Sequence, residues 1–204
     1  MCIRDRPYDV LADYRGRLPE PVENCHFILL EQSRRGAPDV IQLRPADTND
    51  AKIVERILTL SRNEYLLYAK SPHSPDETRH WVRDTLIPSG NVAIAQLDSE
   101  DVAVLATSVT ESIGWIDQLY VLPGFTGRGI GTTLLYHAQN VLPRPIHLWT
   151  FQQNRRAICF YEHHGFKAIQ YTNGENNEEK CPDVLYELCL SRPSSRADRC
   201  VFMY

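Results

Sequence analysis

Alternation of apolar and polar residues sets in at Val40. VIQLRPA (40 to 46) reads as a strand until Pro45, Asp47 and Thr48 break it. Residues 49 to 69 then place Ile53, Val54, Ile57, Leu58, Leu60 and Tyr65 at helical spacing, and the two prolines of SPHSPDE (71 to 77) end that helix. DETRHWVRDTLI predicts a second helix before the turn at Pro88 and Gly90. Three strand-like runs follow at 91 to 97, 101 to 110 and 112 to 122, joined by the short polar turns DSE and ES. Turns that short predict an antiparallel meander. The glycine-rich stretch PGFTGRGIG leads into GTTLLYHAQNVL, where Ile130, Leu134, Ala138 and Val141 recur at helical spacing before Pro143. A strand (146 to 151), a helix (154 to 165, N-cap Asn154, C-cap Gly165) and two closing strands, FKAIQYT and VLYELCL, complete the pattern, with the polar loop NGENNEEKCPD between the last two. This order predicts an α+β fold on a sheet of about seven strands, neither a repeat protein nor a doubly wound one.

The flanks read differently. Residues 1 to 40 hold Pro7, Pro19, Pro21 and Pro38 among mixed charges, and 191 to 204 are polar and basic, so a loosely ordered leader and a flexible tail are expected around one domain at 41 to 190. With 43% hydrophobic and 24% charged residues, the 204-residue chain is neither disordered throughout nor a fibre. No apolar run approaches the roughly 20 residues of a membrane helix, and charges interrupt MCIRDRPYDV where a secretory signal is apolar. No membrane association and a cytoplasmic location are expected. Residues 41 to 190 carry thirteen bases against eighteen acids, which argues against a nucleic-acid partner. The six cysteines form no CxxC pair and no zinc-like Cys/His spacing, so reduced thiols and no metal are expected.

Candidate chemistry concentrates in one loop. Four of the ten glycines, Gly124, Gly127, Gly129 and Gly131, fall in eight residues between a strand and a helix. Such a loop brings the backbone close to a ligand, and its N–H groups with the helix N-terminus make an anion site suited to phosphates, to which Arg128 adds a charge. It is not a Walker A loop, because Ile130 follows Gly129 where a lysine is required. It is not the dinucleotide fingerprint either, since Thr132 stands at the last glycine position and the preceding meander is not a βαβ unit.

LYVLPGFTGRGIGTTLL, followed about twenty residues later by WTFQQNRRAICFYEHHGF, resembles the GNAT superfamily of N-acetyltransferases, which bind acetyl-coenzyme A (acetyl-CoA). FYEHHGF fits that family's FYExxGF, IQLRPAD resembles its first strand, and the likeness spans about 41 to 190. It implies a mixed, mostly antiparallel sheet flanked by about four helices. It also implies that the pattern Gln/Arg-x-x-Gly-x-Gly, here Thr126, Gly127, Arg128, Gly129, Ile130 and Gly131 followed by Thr132, holds the pyrophosphate through backbone amides. Thr126 departs from the usual Gln or Arg.

The same resemblance implies that the main chain of Leu119, Tyr120 and Val121 takes the pantetheine arm, that Asn154 contacts the cofactor, and that Tyr161, seven residues on, is the general acid. A phenol near pKa 10 is a weaker acid than a thiol near 8.5, so the expected role is a hydrogen bond that strengthens as the thiolate departs. By spacing alone Asn154, Ala157, Ile158 and Tyr161 share a helix face and Tyr161 reads as a core tyrosine, a reading that the resemblance reverses. Asp117 is the weak candidate for the base, and Glu178 and Glu179 read either as part of an ordinary polar loop or as charges beside the acceptor pocket that attract a cationic amine. Cys159 reads as a small core residue. The resulting expectation is transfer of acetyl from acetyl-CoA to a primary amine on a small molecule or peptide, with no metal and with a homodimer compatible; the alternative is an acyl-CoA-binding module without turnover.

Overall fold

The computed structural model describes residues 40–189, so the expected leader and tail lie outside the described residues. The elements run β1 (Ile41–Pro45), α1 (Ala51–Tyr65), α2 (Pro75–Trp81), β2 (Val92–Leu97), β3 (Glu100–Thr110), β4 (Ile113–Val121), α3 (Ile130–Val141), β5 (Ile146–Phe151), α4 (Arg155–His163), β6 (Lys167–Tyr171) and β7 (Asp183–Leu188). One seven-stranded sheet has the order β1-β2-β3-β4-β5-β7-β6, antiparallel at every step except β4 beside β5.

The meander closes through two-residue turns. Asp98 and Ser99, then Glu111 and Ser112, all have positive φ, the conformation whose twist matches that of the strands they join. The α2 start has a full set of local signals: Pro75 at the first turn and a capping box in which Ser74 and Glu77 each satisfy the other's backbone.

Strand alternation splits the core between the two faces of the sheet. Leu119 packs with Ile130, Leu134, Ile158 and Tyr161 on one face, while its neighbour Tyr120 packs with Val54, Ile57, Leu58 and Val82 on the other. Two apolar positions expected to be buried face solvent instead, Leu60 at 41% exposure and Val141 at 57%. Both sit at the rim of an apolar stripe, where the flat sheet no longer reaches round the helix. Helix α1 stops at Tyr65 rather than 69, because Leu66 and Ala69 turn inward to pack on Phe151.

Candidate active site

Beside β4 the sheet opens. β4 and β5 pair only at Gly114↔Ile146 and Trp115↔His147, and the strands part beyond that point. Gly114 permits the close start: a Cβ there would lie 2.6 Å from the Pro143 carbonyl oxygen and 2.8 Å from Leu142 Cβ. On the other side β3 stays paired to Val121. The Leu122 N–H donates to the Val102 carbonyl, so by antiparallel alternation Tyr120 also bonds β3, while the peptide groups of Leu119 and Val121 turn toward the gap. The Val121 carbonyl already accepts the Ser61 hydroxyl at 3.0 Å. Of the three main-chain candidates, Leu119 and Val121 thus face the gap, and Tyr120 contributes its side chain to the opposite face.

At the end of β4 the glycine loop meets α3. Gly124, Gly127 and Gly129 have φ of +88°, +81° and +79°, a region L side chains rarely adopt, and the space a Cβ would fill is open at all three. Gly129 caps α3, whose first closing bond runs from the Thr133 N–H to the Gly129 carbonyl. The N–H groups of Ile130, Gly131 and Thr132 therefore have no acceptor within the helix and project from its positive end. Gly131 is different in kind: a Cβ there would touch the Phe160 ring at 3.6 Å, so its role is the approach of α3 to α4. Arg128 lies over the Phe125 ring. The Thr132 hydroxyl faces His164 Nε2 at 3.4 Å, while His164 Nδ1 meets the Phe160 carbonyl, which ties the two helices together.

Helix α4 presents the expected face. Asn154, Ala157, Ile158 and Tyr161 are all buried, and Asn154 Oδ1 accepts the Ala157 N–H as an N-cap. Tyr161 is 0% exposed, edge-on to Phe160 and Phe166. The core reading of this tyrosine therefore holds, whatever else its hydroxyl does. Cys181 and Cys189 are free thiols as expected, and Cys159 is half-buried in α4 rather than in the core. Among the described residues no three His, Cys, Asp or Glu side chains group as a metal site.

Asp117 is the extra residue of a β-bulge. Gln118 pairs with Ala106 and Ile116 with Thr107, which leaves no position in β3 opposite Asp117. It does not line the large cavity beside β4; Gln118 and Tyr120 do.

That cavity, about 680 Å³, lies between α1, α2, β4 and the β6–β7 loop, with Leu58, Leu66, Trp81 and Tyr120 among its apolar walls. Both loop glutamates singled out in the sequence line it. His73 Nε2 meets Glu178 at 2.7 Å and Arg62 donates to Glu179 at 2.7 Å, so a hydrogen bond and an ion pair link the α1–α2 region to the loop. Burial opposes the Arg62 charge, but Tyr120 and Glu179 outweigh it and hold its pKa above the ordinary value. Burial, with help from Glu179, pushes the Cys181 thiol up, which keeps it protonated and unreactive at neutral pH.

The loop is held from within. Asn177 Nδ2 donates to the Cys181 carbonyl at 2.7 Å and to Asp183 at 2.9 Å, Asn177 Oδ1 accepts the Cys181 N–H, and Thr172 donates to Asp183. Gly174, at φ +85°, passes so close to Cys181 that a Cβ would lie 2.3 Å from its carbonyl carbon. Arg62 and Trp81 were not singled out from the sequence. Arg62 reads there as an ordinary helix-surface charge, and nothing local marks it as the partner of Glu179.

No curated protein sequence matches the chain. Solved structures do match, at identities that speak for the fold alone. PaiA N-acetyltransferase from Thermoplasma acidophilum, in complex with coenzyme A, is 19% identical over 74% of this chain and 99% of its own, with a TM-score of 0.61. An acetyltransferase from Thermus thermophilus is 18% identical over 74% and 97%, with a TM-score of 0.62. The ribosomal-protein-S18-alanine N-acetyltransferase from Escherichia coli is 16% identical over 77% and 98%, with a TM-score of 0.59. The model of the acetyltransferase (GNAT) family matches residues 54–166, more than half of the sequence and the whole stretch from α1 through the gap and glycine loop to Phe166, and the chain therefore belongs to this family of acyltransferases.

Proposed function

We propose that the protein transfers an acetyl group from acetyl-CoA to a primary amine seated in the 680 Å³ cavity. The observation that carries this reading is the double role of β4: Leu119 and Val121 turn backbone toward the β4–β5 gap, while Gln118 and Tyr120 wall the cavity. One strand thus stands between a groove for the acyl donor and a chamber for the acceptor.

The residues present suit coenzyme A. The free amides of Ile130, Gly131 and Thr132 and the positive end of α3 complement a pyrophosphate, and the open space over Gly127 and Gly129 admits it. The Leu119 and Val121 amides are placed for the pantetheine arm, and Asn154 stands at the start of α4 across the gap. Acetyl-CoA supplies an activated thioester; the amine lone pair attacks its carbonyl, the oxyanion collapses, and the thiolate leaves as the amine sheds its proton. Tyr161 is the group we assign to the departing sulfur, through a hydrogen bond from its hydroxyl. Asp117 does not line the chamber that seats the amine, so it is a candidate for the amine proton only through intervening water, and unchanged kcat in Asp117→Asn would remove it.

A panel of primary amines, followed by thiol release from acetyl-CoA, tests the reading directly. Coenzyme A binding without thiol release from any amine would favour the second reading, a binding module without turnover, which the complete burial of Tyr161 favours. A cytoplasmic location fits either, and no described helix is long and apolar enough to cross a membrane.

Two variants probe the two halves of the site. Gly129→Val places a β-branched residue in the left-handed region, at a cost of about 1–2 kcal/mol or more, and fills the open approach to the α3 amides. Calorimetric titration should show coenzyme A affinity reduced at least tenfold; an unchanged Kd in the folded variant would remove the loop from the site. Gly174→Ala should displace the loop carrying Glu178 and Glu179, raising acceptor KM about tenfold while coenzyme A affinity stays within twofold. Unaltered KM would show that the loop does not shape the acceptor site.

A further inference from the structure

The Arg62–Glu179 pair leaves two opposite hydrogen-bonding demands unmet in the cavity wall. Glu179 is the deeper partner, its side chain 2% exposed against 16% for Arg62. Its Oε1 accepts Arg62 Nη2 at 2.7 Å, while Oε2 has no partner. Arg62 directs Nη1 to the Tyr120 hydroxyl and Nη2 also to the Ala69 carbonyl, each at 3.4 Å, but its Nε has none. Tyr68 does not line the cavity but braces this wall, its carbonyl accepting the thiol of Cys181, two residues past Glu179.

Buried polar atoms without a partner are rare in folded proteins, so the two in this wall point to a ligand that supplies the missing partners. The kinds of partner are specific. Glu179 Oε2 accepts only, and an ammonium answers it. Arg62 Nε donates only, and an oxygen answers it.

We propose that the cavity recognises an α-amino-carbonyl unit, with the ammonium on Glu179 Oε2 and the adjoining carbonyl or carboxylate oxygen on Arg62 Nε. This rests on the acetyl-transfer reading of the cavity and narrows its acceptor class. A polyamine or alkylamine answers Glu179 and leaves Arg62 Nε buried without an acceptor. An acid without an amine does the reverse. Free α-amino acids and peptide N-termini share the required unit, and Leu58, Leu66 and Trp81 leave an apolar wall for the side chain beyond it.

The test is calorimetric titration of the full chain, saturated with coenzyme A, with L-alaninamide, L-alanine, trialanine and propylamine. L-alaninamide is expected to bind at least tenfold tighter than propylamine, and L-alanine against trialanine separates a free amino acid from a peptide terminus. Arg62→Lys keeps the charge but has no Nε, and should bring L-alaninamide down to the propylamine level. Glu179→Gln should weaken L-alaninamide at least tenfold. Equal affinity of the parent protein for propylamine and L-alaninamide, or no binding of L-alaninamide, overturns the proposal without any variant having to fold. The two readings fail separately: tight L-alaninamide binding without thiol release sinks acetyl transfer alone, whereas turnover of propylamine as efficient as that of L-alaninamide sinks the α-amino-carbonyl preference alone.

Discussion

Tyr161→Phe is expected to lower kcat about a hundredfold and to leave coenzyme A affinity within twofold. The ring is part of the core between Phe160 and Phe166, and phenylalanine keeps that packing. Only the hydroxyl is lost. Hydrogen-bond or proton assistance to a leaving group is typically worth roughly 10² to 10⁴ in rate, and a hundredfold loss corresponds to roughly 2.7 kcal/mol of transition-state stabilisation. A hydroxyl with a structural role alone would show the opposite pattern. Losing one buried hydrogen bond lowers stability by about 1 kcal/mol, or a Tm drop of roughly 2–4 °C for a domain of this size, with kcat untouched. Measuring kcat and Tm on one preparation separates the two, and turnover within twofold of the parent would take Tyr161 out of the mechanism.

Gly114→Ala is expected to be among the most destabilising single-methyl changes in the domain. The added carbon would sit 2.6 Å from the Pro143 carbonyl oxygen and 2.8 Å from Leu142 Cβ, and the nearest obstacle is main chain that no rotamer change relieves. The same segment accepts the Gly114 N–H at the Pro145 carbonyl, so pushing it away also weakens the point where β4 and β5 meet. Overpacking of this kind typically costs about 1–3 kcal/mol, and we expect the upper end of that range because backbone must move. At roughly 2–4 °C per kcal/mol, the Tm should fall by about 6–12 °C in scanning calorimetry. A fall below about 2 °C would mean that the Leu142–Pro145 connection yields freely. Coenzyme A affinity should fall as well, since Gly114 lies at the apex from which the gap opens.

Much of the local geometry of the candidate site was legible because its signals are contiguous. The strand, the four glycines and the helix after them are contiguous, and positive φ at Gly124, Gly127 and Gly129 is what glycine in a strand-to-helix loop provides. The face shared by Asn154, Ala157, Ile158 and Tyr161 follows from helical spacing, and all four are buried. Other features had no local signal. Alternation sets Asp117 and Gln118 on opposite faces of β4, but only the fold shows that the face of Gln118 is the one that walls the cavity and that Asp117 sits in a bulge. Nothing in the sequence around Gly114 announces that another segment passes within contact of it.

The sequence by itself determined the order and kind of the elements, the meander with its short turns, the glycine-rich strand-to-helix loop and the buried face of α4. Each is a property of a short window, set by side-chain periodicity, turn conformation and capping. The tertiary structure alone decided where β4 and β5 part, which peptide groups face the gap, and that Arg62 meets Glu179 across 117 positions of chain. Those depend on β7 entering the sheet between β5 and β6, which carries the β6–β7 loop to the mouth of the cavity beside α1. Periodicity says that a residue is buried or charged; which residue it meets is settled by topology, because the contact joins segments whose sequences carry no record of each other.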